Sequence, residues 1–191
     1  MIKYIIVFVC VVSLVGFIYP FFKSEKLDVS GFSKNFYDYS IDLINGDKIS
    51  LDKYKSKKII IVNVASKCGY TYQYSGLQKL YDEYNDKIEI IGIPSNDFLR
   101  QEPGKNKDIQ TFCSVNYGVT FPIVQKSVVK KNKNQHPLYS WLSSKELNGW
   151  NDSAPGWNFY KYLINEKGEL VDILSSGTKP QDKEMIDFIN N

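Results

Sequence analysis

Apolar and polar residues alternate along the chain in a way that predicts strands and helices in turn. The β-branched runs "KIIIVNVA" and "KIEIIGI" indicate buried strands at 58–65 and 87–93. Between them, "GLQKLYDEY" repeats apolar residues at helical spacing and predicts a helix over 72–84. The later segment "GKNKDIQTFCSVNYG" has one apolar face and ends in glycine, which predicts a second long helix over 104–118.

Turn residues and first-turn prolines supply the remaining signals. They predict two hairpins and two further helices. These are a hairpin over 36–54 with its turn at Asn45-Gly46, a helix from Pro137, a hairpin over 157–174 with its turn near Lys167-Gly168, and a terminal helix with Pro180 in its first turn. Strands that alternate with helices and end in a hairpin and a helix predict an α/β domain with a thioredoxin-like fold, preceded by an N-terminal hairpin.

A separate apolar segment lies before this domain. Residues Tyr4–Phe22 carry no charge over 19 positions, the length needed to cross a bilayer. The following "FIYPFFKSEK" offers no small-residue cleavage site, which favours an uncleaved membrane anchor over a signal peptide. We therefore expect a membrane anchor or signal segment at 1–23, a linker at 24–35 and the folded domain at 36–191. If the segment were cleaved, the domain would be secreted or periplasmic.

Charge and cysteine content exclude several function classes. Lys+Arg number 24 against 21 Asp+Glu, a net charge of +3 that is too balanced for a nucleic-acid binder. Three cysteines do not make a disulfide framework, and one histidine without metal-ligand spacing argues against a metal cofactor. The expected chemistry therefore depends on side chains alone.

Cys68 is the strongest candidate for that chemistry. It lies where the strand at 58–65 gives way to the helix, so the helix dipole and free backbone amides would favour its thiolate. The position three residues later is Thr71, which excludes a local Cys-x-x-Cys disulfide. A thiolate without a local partner suits attack on a peroxide oxygen, with sulfenic acid as the product. The alternative is a cysteine that serves as a small buried apolar residue.

Five short motifs, in order, resemble those of the glutathione peroxidase family. They span about residues 36–190 and read "NVASKCGYT" at 63–71, "RQEPG" at 100–104, "NYGVTFP" at 116–122, "HPLY" at 136–139 and "WNFYKYL" at 157–163. The resemblance implies that Cys68 is the peroxidatic cysteine and that Gln101, Trp157 and Asn158 are catalytic. The amide and indole N–H groups of these three side chains are uncharged donors suited to stabilising a thiolate and a leaving oxygen.

A second cysteine has two interpretations. In the thioredoxin-dependent branch of the family, a resolving cysteine lies on the helix after the Gln-Glu-Pro-Gly motif. Cys113 is on the corresponding helix, but on our alignment it falls one position from the usual site. It equally fits the apolar face of that helix. A further departure is "PSNDF" at 94–98, where the family usually has Pro-Cys-Asn-Gln-Phe, so the role of Asp97 is open.

The resemblance implies a thiol peroxidase that reduces hydrogen peroxide and organic hydroperoxides. The apolar segment at 4–22 adds the expectation of a membrane-anchored enzyme, for which lipid hydroperoxides are further expected substrates. No cofactor is expected beyond a thiol co-substrate, with thioredoxin as the expected electron donor and glutathione as the alternative. The long insert of the tetrameric family members is not evident, so we expect a monomer. The rival interpretation is a redox sensor, in which Cys68 passes oxidation to a client protein.

Overall fold

The computed structural model describes residues 35–191, and these form a mixed β-sheet with helices on both faces. Four strands make the sheet in the order β4-β3-β5-β6. Their bounds are β3 Lys58–Val64, β4 Ile88–Pro94, β5 Lys161–Ile164 and β6 Leu170–Leu174. Strands β3 and β4 are parallel, whereas β5 is antiparallel to both of its neighbours. A separate hairpin pairs β1 (Ser40–Asp42) with β2 (Lys48–Ser50).

The helices flank this sheet. They are α1 Gln73–Tyr84, α2 Asn106–Tyr117, α3 Pro137–Leu142, α4 Lys145–Asn148 and α5 Lys183–Asn190. All seven residues of β3 are buried because both of its faces are covered. Ile60 and Val62 pack with α1, α2 and α5 on one face. Ile59 and Ile61 pack with the hairpin and α3 on the other.

The pattern-based prediction of alternating strands and helices is confirmed, with two corrections. Strand β5 begins at Lys161, so residues 157–160 form a loop and not the start of a hairpin strand. The terminal helix begins at Lys183, because Asp182 is its extended N-cap and accepts the Lys179 N–H at 2.7 Å. Pro180 therefore lies in the turn before the helix, not in its first turn.

The expected anchor at Tyr4–Phe22 lies outside the described residues. Within residues 35–191, no helix has the length and apolar character needed to cross a bilayer.

Candidate active site

Cys68 lies in a turn that follows the carboxyl end of β3. Helix α1 begins at Gln73, so the expectation that Cys68 sits at the helix N-terminus is wrong. The reason is the Thr71 hydroxyl, which accepts the Cys68 N–H at 3.0 Å and lies 2.8 Å from the Ala65 carbonyl oxygen. The segment around Cys68 therefore forms a turn that is closed by side-chain hydrogen bonds, in place of a first turn of helix.

The turn nevertheless supplies the Cys68 sulfur with a backbone donor. The Tyr70 N–H points at Cys68 Sγ, with 3.4 Å between nitrogen and sulfur. A backbone amide directed at sulfur stabilises negative charge there, as the helix N-terminus was expected to do. Cys68 is 9% exposed and therefore largely buried.

Gln101 is held against the Cys68 turn by backbone and side-chain contacts. The Lys67 N–H donates to the Gln101 carbonyl oxygen at 3.0 Å. The neighbouring Glu102 carboxylate, fully buried, accepts the Ser66 N–H at 2.9 Å and the Ser66 hydroxyl at 2.6 Å. Burial raises the pKa of Glu102, and the two Ser66 hydrogen bonds partly offset that effect. Two loops distant in sequence are therefore joined immediately before Cys68.

The backbone that leads into Gln101 is strained. Leu99 and Arg100 have φ values of +49° and +54°, in the left-handed region that disfavours residues with a Cβ. The Leu99 side chain is also 78% exposed. Consecutive strained residues beside a catalytic candidate are typical of functional loops.

Trp157 and Asn158 lie in the loop that precedes β5. Asn63, fully buried in β3, holds this loop: its side-chain amide donates to the Trp157 carbonyl oxygen at 3.0 Å, and its Oδ1 accepts the Tyr160 N–H at 3.2 Å. The Trp157 ring packs on Phe98, with 5.6 Å between ring centroids. Sequence reasoning missed Asn63, although a lone polar residue inside an apolar strand was an available signal.

Gln101 and Asn158 are in direct contact. Asn158 Nδ2 donates to Gln101 Oε1 at 2.9 Å, and Asn158 itself is fully buried. Within residues 35–191, Asn158 Oδ1 has no hydrogen-bond partner. The structure therefore brings the Cys68 turn, the Gln101 loop and the Trp157–Asn158 loop together at the carboxyl end of β3. Glu102 lies within the "RQEPG" motif, but sequence reasoning did not identify it as a site residue.

Cys113 belongs to a different element. It is 2% exposed on α2, and among the described residues neither it nor Cys68 forms a disulfide. Burial raises the pKa of the Cys113 thiol to about 11, partly offset by the neighbouring Tyr74 hydroxyl. A surface groove of about 460 Å³ has Cys113 among its lining residues, together with the β1–β2 turn, residues 119–121 and Ile123. Cys113 therefore lies on the apolar face of α2, as one of its two interpretations predicted. Its chemical role remains open.

Asp97, whose role was open, anchors a neighbouring loop. Its Oδ2 accepts the backbone N–H groups of Val129 at 2.7 Å and Lys130 at 2.9 Å. Among the described residues, no group of three or more His, Cys, Asp or Glu side chains is arranged to hold a metal ion.

Comparison with known proteins agrees with the geometry. The sequence profile of the family described as "Glutathione peroxidase" matches residues 36–143. The chain is 45% identical over 151 residues to "Glutathione peroxidase" of Lactococcus lactis subsp. cremoris (strain MG1363), covering 78% of this chain and 95% of the relative. It is 43% identical over 147 residues to "Glutathione peroxidase-like peroxiredoxin 2" of Saccharomyces cerevisiae (strain ATCC 204508 / S288c), covering 76% and 90%.

A solved structure shows the same fold. The crystal structure of Trgpx in apo form matches with a TM-score of 0.63 and 30% sequence identity, covering 83% of this chain and 97% of that one. The predicted thioredoxin-like α/β fold is confirmed by this match and by the mixed sheet. The chain belongs to the glutathione peroxidase family and is a thiol peroxidase, an oxidoreductase that reduces hydroperoxides.

Proposed function

We propose that Cys68 is the peroxidatic cysteine of this enzyme. The observation that carries the proposal is the Tyr70 N–H directed at Cys68 Sγ, since it stabilises the thiolate that attacks. The thiolate attacks one peroxide oxygen, the O–O bond breaks, and Cys68 becomes a sulfenic acid. The other oxygen leaves as water or an alcohol after it takes up a proton.

Gln101, Trp157 and Asn158 stabilise that leaving oxygen. The Gln101 carbonyl end is occupied by Asn158, so its NH₂ end is the part left to donate to the peroxide. Asn158 is fully buried, so it acts through the Gln101 amide that it orients. Preplaced donors of this kind act without reorganisation during the reaction.

Cys113 is the proposed resolving thiol, and thioredoxin is the proposed donor. Cys113 lies on α2 and lines the surface groove, which supports access of an external reductant to the Cys113 sulfur. The peroxiredoxin name of the yeast relative also favours a thioredoxin cycle. Glutathione is the alternative, in which the donor reduces the Cys68 sulfenic acid directly.

Hydrogen peroxide and organic hydroperoxides are the proposed substrates. The uncharged segment Tyr4–Phe22 supports anchoring to a membrane, and an anchored enzyme would meet lipid hydroperoxides. Exposed Leu99 beside the Gln101 loop offers apolar contact to such a substrate. The absence of the long oligomerisation insert from the sequence supports a monomer.

The test is peroxide consumption by the full chain with thioredoxin or glutathione as sole reductant. Turnover with thioredoxin that is lost in both Cys68→Ser and Cys113→Ser supports the two-cysteine cycle. Turnover that survives Cys113→Ser refutes the resolving role and leaves a one-cysteine enzyme. Oxidation of Cys68 without turnover by either reductant contradicts the cycle and favours the sensor.

A further inference from the structure

The Tyr74 hydroxyl is a buried polar group that the mechanism so far does not use. Tyr74 lies in the first turn of α1 and is fully buried. Within the described part of the chain, its hydroxyl has no well-formed hydrogen bond. A buried hydroxyl without a hydrogen-bond partner destabilises the folded state, so its retention calls for an explanation.

The ring of Tyr74 packs against α2 on the side that carries Cys113. It contacts Phe112 at 6.4 Å and Tyr117 at 5.3 Å between ring centroids. Tyr117 lies four residues after Cys113 on the same face of α2, and Phe112 directly precedes Cys113, so the Tyr74 ring packs next to the part of α2 that carries Cys113. The hydroxyl is therefore held beside the Cys113 thiol, and this contact acts to lower the pKa of Cys113 against the effect of burial.

We propose that Tyr74 is a catalytic residue of the resolving step, in which its hydroxyl donates a hydrogen bond to the Cys113 sulfur as that sulfur ionises. A neutral thiol is a weak acceptor, whereas a thiolate is a strong one. The hydroxyl thus has little to bond in the resting enzyme and a good partner once Cys113 becomes nucleophilic. This inference rests on the proposed role of Cys113 as the resolving cysteine.

The step balances without a further reactant. The Cys113 thiolate attacks Cys68 sulfur, the S–S bond forms and the S–O bond of the sulfenic acid breaks. The released hydroxide combines with the proton lost by Cys113 to give water. A hydrogen-bond donor to the thiolate lowers the pKa of the thiol, and each unit of lowering raises the thiolate fraction tenfold. The nucleophilicity of the thiolate falls at the same time, with a Brønsted exponent of about 0.4–0.5. The net gain is therefore about threefold per unit, and removal of a hydrogen bond to a charged group should slow resolution by about threefold to tenfold.

Tyr74→Phe is the test, because it removes one oxygen and keeps the ring packing. Tyr139→Phe is the matched control. The Tyr139 hydroxyl is also buried and has no hydrogen-bond partner within residues 35–191, but it lies in the core on the opposite face of the sheet. Full-length protein is mixed with one equivalent of hydrogen peroxide, and acid-quenched samples are resolved by mass spectrometry. We expect Tyr74→Phe to form the Cys68 sulfenic acid at the wild-type rate and then to form the disulfide about threefold to tenfold more slowly. We expect Tyr139→Phe to match wild type in both steps.

A second measurement separates this inference from the proposed cycle. Alkylation of Cys113 is followed against pH in a Cys68→Ser background, where no resolution occurs. Tyr74→Phe should move the alkylation profile to higher pH and Tyr139→Phe should not. Unchanged disulfide formation and an unchanged profile in Tyr74→Phe would overturn the inference. Loss of the resolving role itself is reported separately, by turnover that survives Cys113→Ser.

Discussion

Asn158 donates its side-chain amide to the Gln101 side-chain oxygen at 2.9 Å, across 57 positions of sequence. The contact joins the loop before β5 to the loop that is bonded to the residue before Cys68. It also fixes which end of the Gln101 amide remains for the peroxide. The proposed catalytic amides are therefore one hydrogen-bonded unit and not two independent side chains.

Removal of the Asn158 amide should slow Cys68 oxidation strongly. Asn158→Ala frees Gln101 to rotate and deletes one preplaced polar group, so the second-order rate constant with hydrogen peroxide should fall on the order of 10²-fold. Stopped-flow mixing, at a temperature where the variant stays folded, measures this constant. Asn151→Ala is the control, because Asn151 is also buried and bonds the Leu142 and Ser153 carbonyl oxygens. Equal rates for the two variants would refute the role of Asn158.

Leu99→Gly should stabilise the protein. Leu99 has a φ of +49°, and relief of a left-handed residue with a Cβ is worth about 1 kcal/mol in the free energy of unfolding. Chemical denaturation measures the difference. The control is Val115→Gly, at a 75% exposed position within α2, where glycine should cost roughly 0.4 kcal/mol. A loss of stability in both variants would show that Leu99 is not strained.

Lys161 should make stability depend on pH. Its ammonium is buried in β5 and bonded to the Gln73 side-chain oxygen at 2.6 Å, and burial lowers its pKa from 10.5 to about 7. Between pH 7 and 10.5 the unfolded chain holds a proton that the folded chain lacks, so the free energy of unfolding should rise with pH in that window.

Lys161→Met should abolish this rise, whatever its effect on absolute stability. Denaturation at pH 7, 8 and 9 measures the slope, and these values stay below the range where buried tyrosines ionise. The exposed Lys145→Met is the control and should keep the wild-type slope. An equal slope in wild type and Lys161→Met would show that the buried lysine stays charged throughout.

Local sequence patterns were sufficient for the sheet and the long helices. Continuous β-branched runs predicted β3 and β4, and Gly118, with a φ of +61°, ends α2 as expected from its left-handed conformation. Periodicity predicted the start of α1 to within one residue, but it did not predict the turn between Cys68 and α1. Thr71 bonds the backbone locally and delays the helix, and helical spacing carries no sign of such competition.

The sequence predicted the candidate catalytic residues but not the buried residues that hold them in place. The motifs identified Cys68 and its proposed partners, whereas Asn63 and Glu102 act through contacts with residues far away in sequence. Such contacts exist only once the chain has folded, so a local pattern can mark Asn63 as unusual but does not reveal its partners. Trp157 was expected at a strand start, but Asn63 holds it in a loop.

The most direct test of the central claim is to trap the Cys68 sulfenic acid. The full-length Cys113→Ser variant, in which no disulfide with Cys113 can form, is treated with one equivalent of hydrogen peroxide and a dimedone-type reagent. Peptide mass spectrometry then assigns the labelled cysteine. Our account predicts near-complete labelling of Cys68. Absence of label from Cys68, or label on Cys10 instead, would contradict it.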